Sequence, residues 1–400
     1  MTAWLNVVGV GEGGVSQLPA PVRATIASAR TVLGPPRLLA GLDSGQTLVP
    51  WESPLSRMIE QVAALAGTPT VILATGDPSW FGIGVTLTRY LPAEAFAITP
   101  HASAFSLAAA RLHWALQNVV TLSLHGRAEA ALQPHIVPGN RILALTTDRT
   151  TVQTVALMLR ERGYGASRLT ALENLGGSEE RISSASADAI EASALGDFLV
   201  LAIDCVAGPD APLLPPVPGL PDEAFATDGQ LTKREVRAAS IAKLAPYAGA
   251  LLWDVGAGSG SIGIEWMRAA RGALAIAFER EERRRDIIAA NATRLGVPGL
   301  EVVGGDAPES LAGHAEPDAV FLGGDVANPK IFEVAWAALR AGGRLVANAV
   351  TLEGEQALYE RQAQFGGELC RLDISHLDQI GSFRALRPKL PVTQWAAVKR

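Results

Sequence analysis

An acid placed two residues ahead of a glycine turn offers the clearest chemistry in the chain: Asp254-Val255-Gly256-Ala257-Gly258-Ser259-Gly260 closes an apolar run and leads into a helical pattern. Glycines let the backbone approach a ligand closely, and the N-terminus of the following helix points N–H groups at it. A carboxylate at the strand tip repels a pyrophosphate but suits an ammonium or a sulfonium, which favours S-adenosylmethionine over a nicotinamide dinucleotide. Glu279 ends the next apolar run, where an acid can accept both hydroxyls of a ribose. Gly305-Asp306-Ala307 follows the third run and supplies a further acid, suited to an adenine amino group.

A second glycine turn, Val8-Gly9-Val10-Gly11-Glu12-Gly13-Gly14, follows the first apolar run of the chain. One chain is therefore expected to carry two nucleotide-type sites. Here the stretch Thr31-Val32-Leu33-Gly34-Pro35-Pro36 lacks the acid that would bind the ribose of NAD. Further on, Asp77-Pro78 bounds a strand, and Gly82 and Gly84 open a helix close to any bound ligand. From the residues alone, Gly76-Asp77-Pro78-Ser79 reads equally well as a turn or as a site.

The elements that must hold these residues alternate. Strand-like runs at 5–8, 71–74, 119–122, 142–146 and 198–203 are separated by helical ones such as 56–66 and 103–116. Later strands at 251–255, 273–278, 300–303, 319–322 and 344–349 are each followed by a helix-compatible segment, which implies a parallel doubly wound sheet. Residues 369–375 and 395–398 suggest a closing antiparallel pair joined by a Pro-containing loop. Thr232-Lys233-Arg234-Glu235 has capping-box spacing and opens a helix over 233–244 that Pro246 closes. Between the halves, residues 208–221 hold six prolines and cannot sustain a helix or a central strand. The expected division is 1–207, a semi-rigid linker at 208–224, and 225–400.

Four hundred residues, 48% of them apolar, exceed what one core usually serves. No apolar run approaches the roughly 20 residues of a membrane helix, and the start lacks a secretory pattern, so a cytoplasmic enzyme is expected. The two cysteines, Cys205 and Cys370, have no metal-ligand spacing, and neither a disulfide nor a metal is expected. A net charge of −6 argues against broad nucleic-acid or anionic-membrane binding.

Several segments together carry a family resemblance: Val8 to Gly14, Gly76 to Gly84, Pro100-His101-Ala102-Ser103-Ala104-Phe105, Ser123-Leu124-His125-Gly126-Arg127 and the stretch from Glu173 to Ile182. In this order they resemble the tetrapyrrole methylases of corrin biosynthesis, over about residues 3–206. Thr232 to Arg237, Asp254 to Glu265 and Ala349 to Glu353 resemble the partner methyltransferase of the same pathway, a class I enzyme. The resemblance implies an α/β chain: a two-lobed class III methylase, then a Rossmann-like domain with a mostly parallel sheet. It also implies one S-adenosylmethionine per domain. In the first domain Gly9, Gly11, Gly13, Gly76, Asp77, Pro78, Gly82, Ser103 and Ala104 would hold it; in the second, Asp254, Gly256, Gly258, Gly260, Glu279, Asp306 and Ala307. The implied reaction methylates C5 and C15 of a reduced precorrin and removes carbon dioxide from the C12 acetate, with C5 assigned to the first half. Ser79 departs from the glycine frequent in relatives.

A ring bearing acetates and propionates needs cationic forks, which Arg supplies bidentately. The candidates that orient the substrate are His125 and Arg127 in the first half, and Lys233, Arg384 and Lys389 in the second, with Arg234, Arg237 and Arg387 beside them. The expected partners are a small-molecule tetrapyrrole and further copies of the chain. Rival readings are an NAD-dependent oxidoreductase, a non-catalytic S-adenosylmethionine sensor, and a methyltransferase for nucleic acid or protein. The last is opposed by the absence of an aromatic in Gly323-Gly324-Asp325-Val326-Ala327-Asn328-Pro329.

Overall fold

The computed structural model describes residues 3–42, 45–51 and 55–400. Two compact units emerge: Met1–Glu129 with Pro138–Pro212, and Ala130–Val137 with Leu213–Arg400.

The first unit contains two five-stranded sheets. Strands β1 (Leu5–Val10), β2 (Thr31–Gly34), β3 (Thr47–Pro50), β4 (Thr70–Thr75) and β5 (Phe96–Thr99) form a parallel sheet in the order β3-β2-β4-β1-β5. β1 and β4 are buried along nearly their whole length, as strands of a sheet covered on both faces must be. Leu5, Val7, Ile72 and Met58 pack on one face, and Val8, Val10, Val32 and Leu73 on the other. Each such burial contributes about 1.5–3 kcal/mol. The second sheet joins β6 (Val120–Ser123), β7 (Arg141–Leu145), β8 (Arg168–Glu173), β9 (Arg181–Ser186) and β10 (Leu199–Asp204) in the order β6-β7-β10-β8-β9. Only β6 and β7 are parallel there.

The second unit is built on one seven-stranded sheet. Its strands are β11 (Leu251–Val255), β12 (Leu274–Phe278), β13 (Glu301–Val303), β14 (Ala319–Leu322), β15 (Arg344–Ala349), β16 (Glu368–Leu372) and, after a separate hairpin of β17 (Ser375–Ile380) and β18 (Phe383–Pro388), β19 (Val392–Val398). The order is β13-β12-β11-β14-β15-β19-β16, parallel from β13 through β15 and antiparallel at β19. The order reverses beside β11, so the carboxyl end of β11 is where such a sheet opens a binding crevice.

Four expectations need correction. β13 leads into a 3-10 turn, Glu309–Leu311, and not an α-helix. The capping box does not form: Lys233 is the N-cap of helix Arg234–Leu244 and Thr232 gives its carbonyl to the Arg237 guanidinium. The stretch read as a late loop around Arg384 is strand β18. The Pro-rich segment is not a bare tether, because Leu214 and Leu220 are buried in the second core and Glu265 accepts the N–H groups of Gly219 and Leu220 at 2.7 and 2.9 Å.

Candidate functional sites in the two units

In the first unit, the parallel register of β1 and β4 sets Val10 opposite Thr75, so the turns after both strands emerge together. The N–H of Gly76 donates to the Val10 carbonyl at 2.8 Å, and a Cβ on Gly9 would stand 2.4 Å from the Gly76 oxygen. No side chain fits at Gly9. The ring of His101 covers Gly11, where a Cβ would stand 2.8 Å from its Cε1. The glycine turn does not run straight into a helix as expected; helix Ala20–Ser28 begins only after a 3-10 turn.

A cavity of about 310 Å³ opens beside these turns, walled by residues that include Gly11, Glu12, Gly76, Asp77, Ser103, Ala104, His125, Thr147, Asn174 and Asp197. Gly9, Gly13, Pro78 and Gly82 lie outside its wall. Gly82 caps helix Ile83–Leu87, and its missing Cβ clears the Pro78 carbonyl. Ser103 caps helix Ala104–Leu112, with its Oγ accepting the Ser106 N–H at 3.0 Å. Polar groups of the wall are fixed: Glu12 is paired with Arg37 at 2.5 Å, Asp197 with Arg149 at 2.7 Å, and Asp77 accepts the Ser79 N–H at 2.8 Å. The Arg149 guanidinium holds the Asp197 carboxyl below its ordinary range. His125 and Arg127 are exposed, and the Arg127 guanidinium lies 5.8 Å from the centre of the Phe81 ring.

In the second unit, helix Ser261–Ala269 begins directly after Gly260. The Asp254 side chain is buried beneath the turn. Its Oδ2 accepts the Gly263 N–H at 3.0 Å, tying strand to helix, while Oδ1 has no hydrogen-bond partner. Burial pushes this carboxyl up to about 7, with the Glu279 charge adding to the rise and the Gly263 bond opposing it. In this position the Asp254 carboxyl supports the glycine turn from below, and its Oδ1 is left for a further partner.

Glu279 stands at the tip of β12, its Oε2 accepting the Gly258 N–H at 2.8 Å and its Oε1 the Glu281 N–H at 3.1 Å. A carboxylate has about four lone-pair sites, so each oxygen keeps one for a ribose diol. Gly256 has φ 74°, and a Cβ on it would meet the backbone nitrogen of Gly324 at 2.9 Å. The crevice floor is thus bare backbone from two strand ends, as a bound nucleoside needs. Asp306 is exposed at the end of β13, with Ala307 next to it. These acceptors fit S-adenosylmethionine: Glu279 would hold the ribose, and Asp306 stands after the strand end where an adenine amino group could be met.

Two residues of this site were not singled out in the sequence. Asn291 is fully buried and holds Ala226 by both its N–H and its carbonyl, at 2.8 Å each, while also donating to the Ser259 carbonyl at 3.0 Å. Ser259 donates to the Gln230 carbonyl at 2.5 Å. Together they lay residues 226–230 on the glycine turn. An Asn within the apolar stripe of Ile288, Ala292 and Leu295 was the available signal.

The cationic candidates scatter. Arg237 is no surface fork: it is fully buried, donating to Glu265 at 2.6 Å and to Asp222 at 3.1 Å. Arg387 is paired with Asp378 at 2.9 Å, and exposed Lys233 lies 3.8 Å from Asp222. Arg234, Arg384 and Lys389 are exposed, the last two on and just after β18.

Both halves of the chain match known families. Residues 5–191 match the family described as tetrapyrrole (corrin/porphyrin) methylases, and residues 223–399 match the precorrin methyltransferase domain. A precorrin-6Y C(5,15)-methyltransferase [decarboxylating] of Sinorhizobium sp is 45% identical, covering 100% of this chain and 97% of its own. One of the same name from Mycobacterium tuberculosis (strain CDC 1551 / Oshkosh) is 40% identical, covering 98% of this chain and 99% of its own. The crystal structure of the C-terminal domain of precorrin-6Y C5,15-methyltransferase from Rhodobacter capsulatus is 42% identical over 46% of this chain and 99% of its own, with a TM-score of 0.44. The chain belongs to the family of decarboxylating precorrin-6Y C5,15-methyltransferases, enzymes whose methyl donor is S-adenosylmethionine.

Proposed function

We propose that this chain methylates a reduced precorrin, precorrin-6Y, at C5 and C15 and removes carbon dioxide from its C12 acetate, giving precorrin-8 in aerobic cobalamin biosynthesis. The observation that supports the reading is that the chain has a cavity beside Gly11 and Gly76 in one unit and a glycine turn braced by Glu279 in the other, each suited to a methyl donor. Each unit then binds its own S-adenosylmethionine, the first serving C5 and the second C15 with the decarboxylation. The reading includes the division into 1–207, 208–224 and 225–400, a cytoplasmic location, assembly with further copies of the chain, and no nucleic-acid or membrane partner.

When bound, the donor supplies an electrophilic methyl group, and an electron-rich ring carbon forms the new bond with its own electron pair while the sulfur keeps the pair of the broken bond. Ser103, Ala104, Gly76 and Asp77 line the space that orients the donor in the first unit. Glu279 and the backbone of Gly256 and Gly258 do so in the second. Alignment of the reacting atoms supplies most of the acceleration, because the ring is itself the nucleophile. His125 and Arg127 in the first unit, and Lys233, Arg384 and Lys389 in the second, are the side chains proposed to meet the ring's carboxylates.

Anaerobic incubation of the chain with S-adenosylmethionine and metal-free precorrin-6Y, followed by mass spectrometry, tests the assignment. Two added methyl groups and one lost carbon dioxide are expected; substrate recovered unaltered contradicts it.

A further inference from the structure

The cavity of the first unit, about 310 Å³, lies near the lower end of the roughly 300–1,000 Å³ spanned by ligand sites. That room suits one nucleoside-sized group. A macrocycle of four linked pyrrole-type rings is larger and has to lie across the opening. Two large apolar side chains belong to the cavity wall while staying open to solvent: Trp80, 47% exposed, and Phe81, 36% exposed. Adjacent exposed aromatics in a cavity wall mark a contact surface.

Phe81 is held there against its own backbone preference. Its φ is 56°, in the left-handed region that an aromatic L-residue avoids. The next residue, Gly82, cannot relax the turn toward a bulkier side chain, because a Cβ on it would lie 2.6 Å from the Pro78 carbonyl oxygen. The Phe81 ring meets Phe105 edge-on, with centroids 5.8 Å apart and planes at 60°. Strain of this kind persists where the surroundings over-determine it, most often at ligand sites.

Charge around the ring fits a polycarboxylate. Arg127 stands 5.8 Å from the Phe81 centroid, and among the described residues no carboxylate pairs with it, whereas Arg37 and Arg149 hold Glu12 and Asp197. His125 is exposed in the same wall. Of the acids in the wall, Glu12 and Asp197 are paired with arginines and Asp77 holds only the Ser79 N–H, so Arg127 is a cation at this edge without an acid partner among the described residues.

We propose that Phe81 and Trp80 form the platform on which the flat face of the macrocycle rests during the first methyl transfer, with Arg127 taking one peripheral carboxylate. The proposal deepens the functional reading and rests on it. It makes Phe81 and Trp80 determinants of substrate specificity, separate from the groups that hold the methyl donor.

The test uses the full-length chain, with anaerobic absorbance titration of metal-free precorrin-6Y and separate calorimetry of S-adenosylmethionine. Phe81→Gly removes the ring and the backbone strain together. It is expected to weaken macrocycle binding about tenfold or more, the scale of a lost aromatic stack, while S-adenosylmethionine affinity stays within about twofold. Phe81→Tyr keeps the ring and is expected to bind as the native chain does. Trp80→Leu and Arg127→Gln, both at exposed positions, are expected to weaken the macrocycle alone, and they carry the test should Phe81→Gly fail to fold. Macrocycle binding unimpaired in Phe81→Gly, Trp80→Leu and Arg127→Gln alike overturns the platform and leaves the functional reading standing. A loss of donor affinity equal to that of the macrocycle also overturns it, since the ring would then be stacking on adenine. A native chain that binds no macrocycle overturns the platform and the functional reading together.

Discussion

The carboxylate of Glu279 and the backbone N–H of Gly258 are joined at 2.8 Å, so the acid at the tip of β12 fixes the glycine turn that follows β11. Its other oxygen is braced by the Glu281 N–H. One side chain therefore shapes the crevice floor and presents the oxygens on which a ribose would sit.

Glu279→Gln should damage both roles. The amide turns an acceptor into a donor that faces a backbone N–H, and hydrogen bonds to charged groups are worth about 1.5–3 kcal/mol. S-adenosylmethionine affinity of the second unit is expected to fall about tenfold or more by calorimetry. An affinity equal to the native value would show that the carboxylate is only a brace.

Asp254 makes stability depend on pH. Its folded-state pKa, about 7, lies above the unfolded value, so the unfolded chain gives up the proton first as pH rises. The folded state is therefore favoured most below about pH 4 by this group, and the advantage is lost between about pH 4 and pH 7. Asp254→Asn has no such proton to lose. Relative to it, the native chain should lose on the order of 4 kcal/mol across that window, measured by denaturant unfolding at several pH values. Parallel stability profiles for the two proteins would contradict the placement of an ionisable acid in this dry position.

Arg237 is expected to behave as a core residue. It is fully buried and links Glu265, which holds the end of the Pro-rich segment, to Asp222 and to the Thr232 and Leu220 carbonyls. Removing one partner of a buried pair leaves an uncompensated charge and typically costs about 3–5 kcal/mol. Arg237→Leu should lower the stability of the second unit by that amount in urea titration. A change below about 1 kcal/mol would mean that the pair is open to water.

The second unit was readable because its strands are short and apolar and, from β11 through β15 except after β13, are followed by helices, so the bounds of β11, β14 and β15 fall where the pattern puts them. β9, with the polar sequence Arg-Ile-Ser-Ser-Ala-Ser, has no such signal and exists because β8 offers it an edge. The β17–β18 hairpin was hidden for a related reason: among its apolar side chains Leu377, Ile380, Phe383 and Leu386 remain exposed, so no buried face marks it. The identities of Asp254, Glu279 and the glycines were legible, but burial was not. That is why Arg237 read as a surface cation, and why the sealing of Asp254 beneath its turn could not be foreseen. The left-handed backbone of Phe81 leaves no trace in residue type at all.

The account turns on each half of the chain holding its own methyl donor, and calorimetric titration of the intact protein with S-adenosylmethionine measures that directly. Two sites are predicted, one lost or strongly weakened in Glu279→Gln while the other persists with its native affinity. A single site in the native chain, abolished by that one substitution, would contradict it.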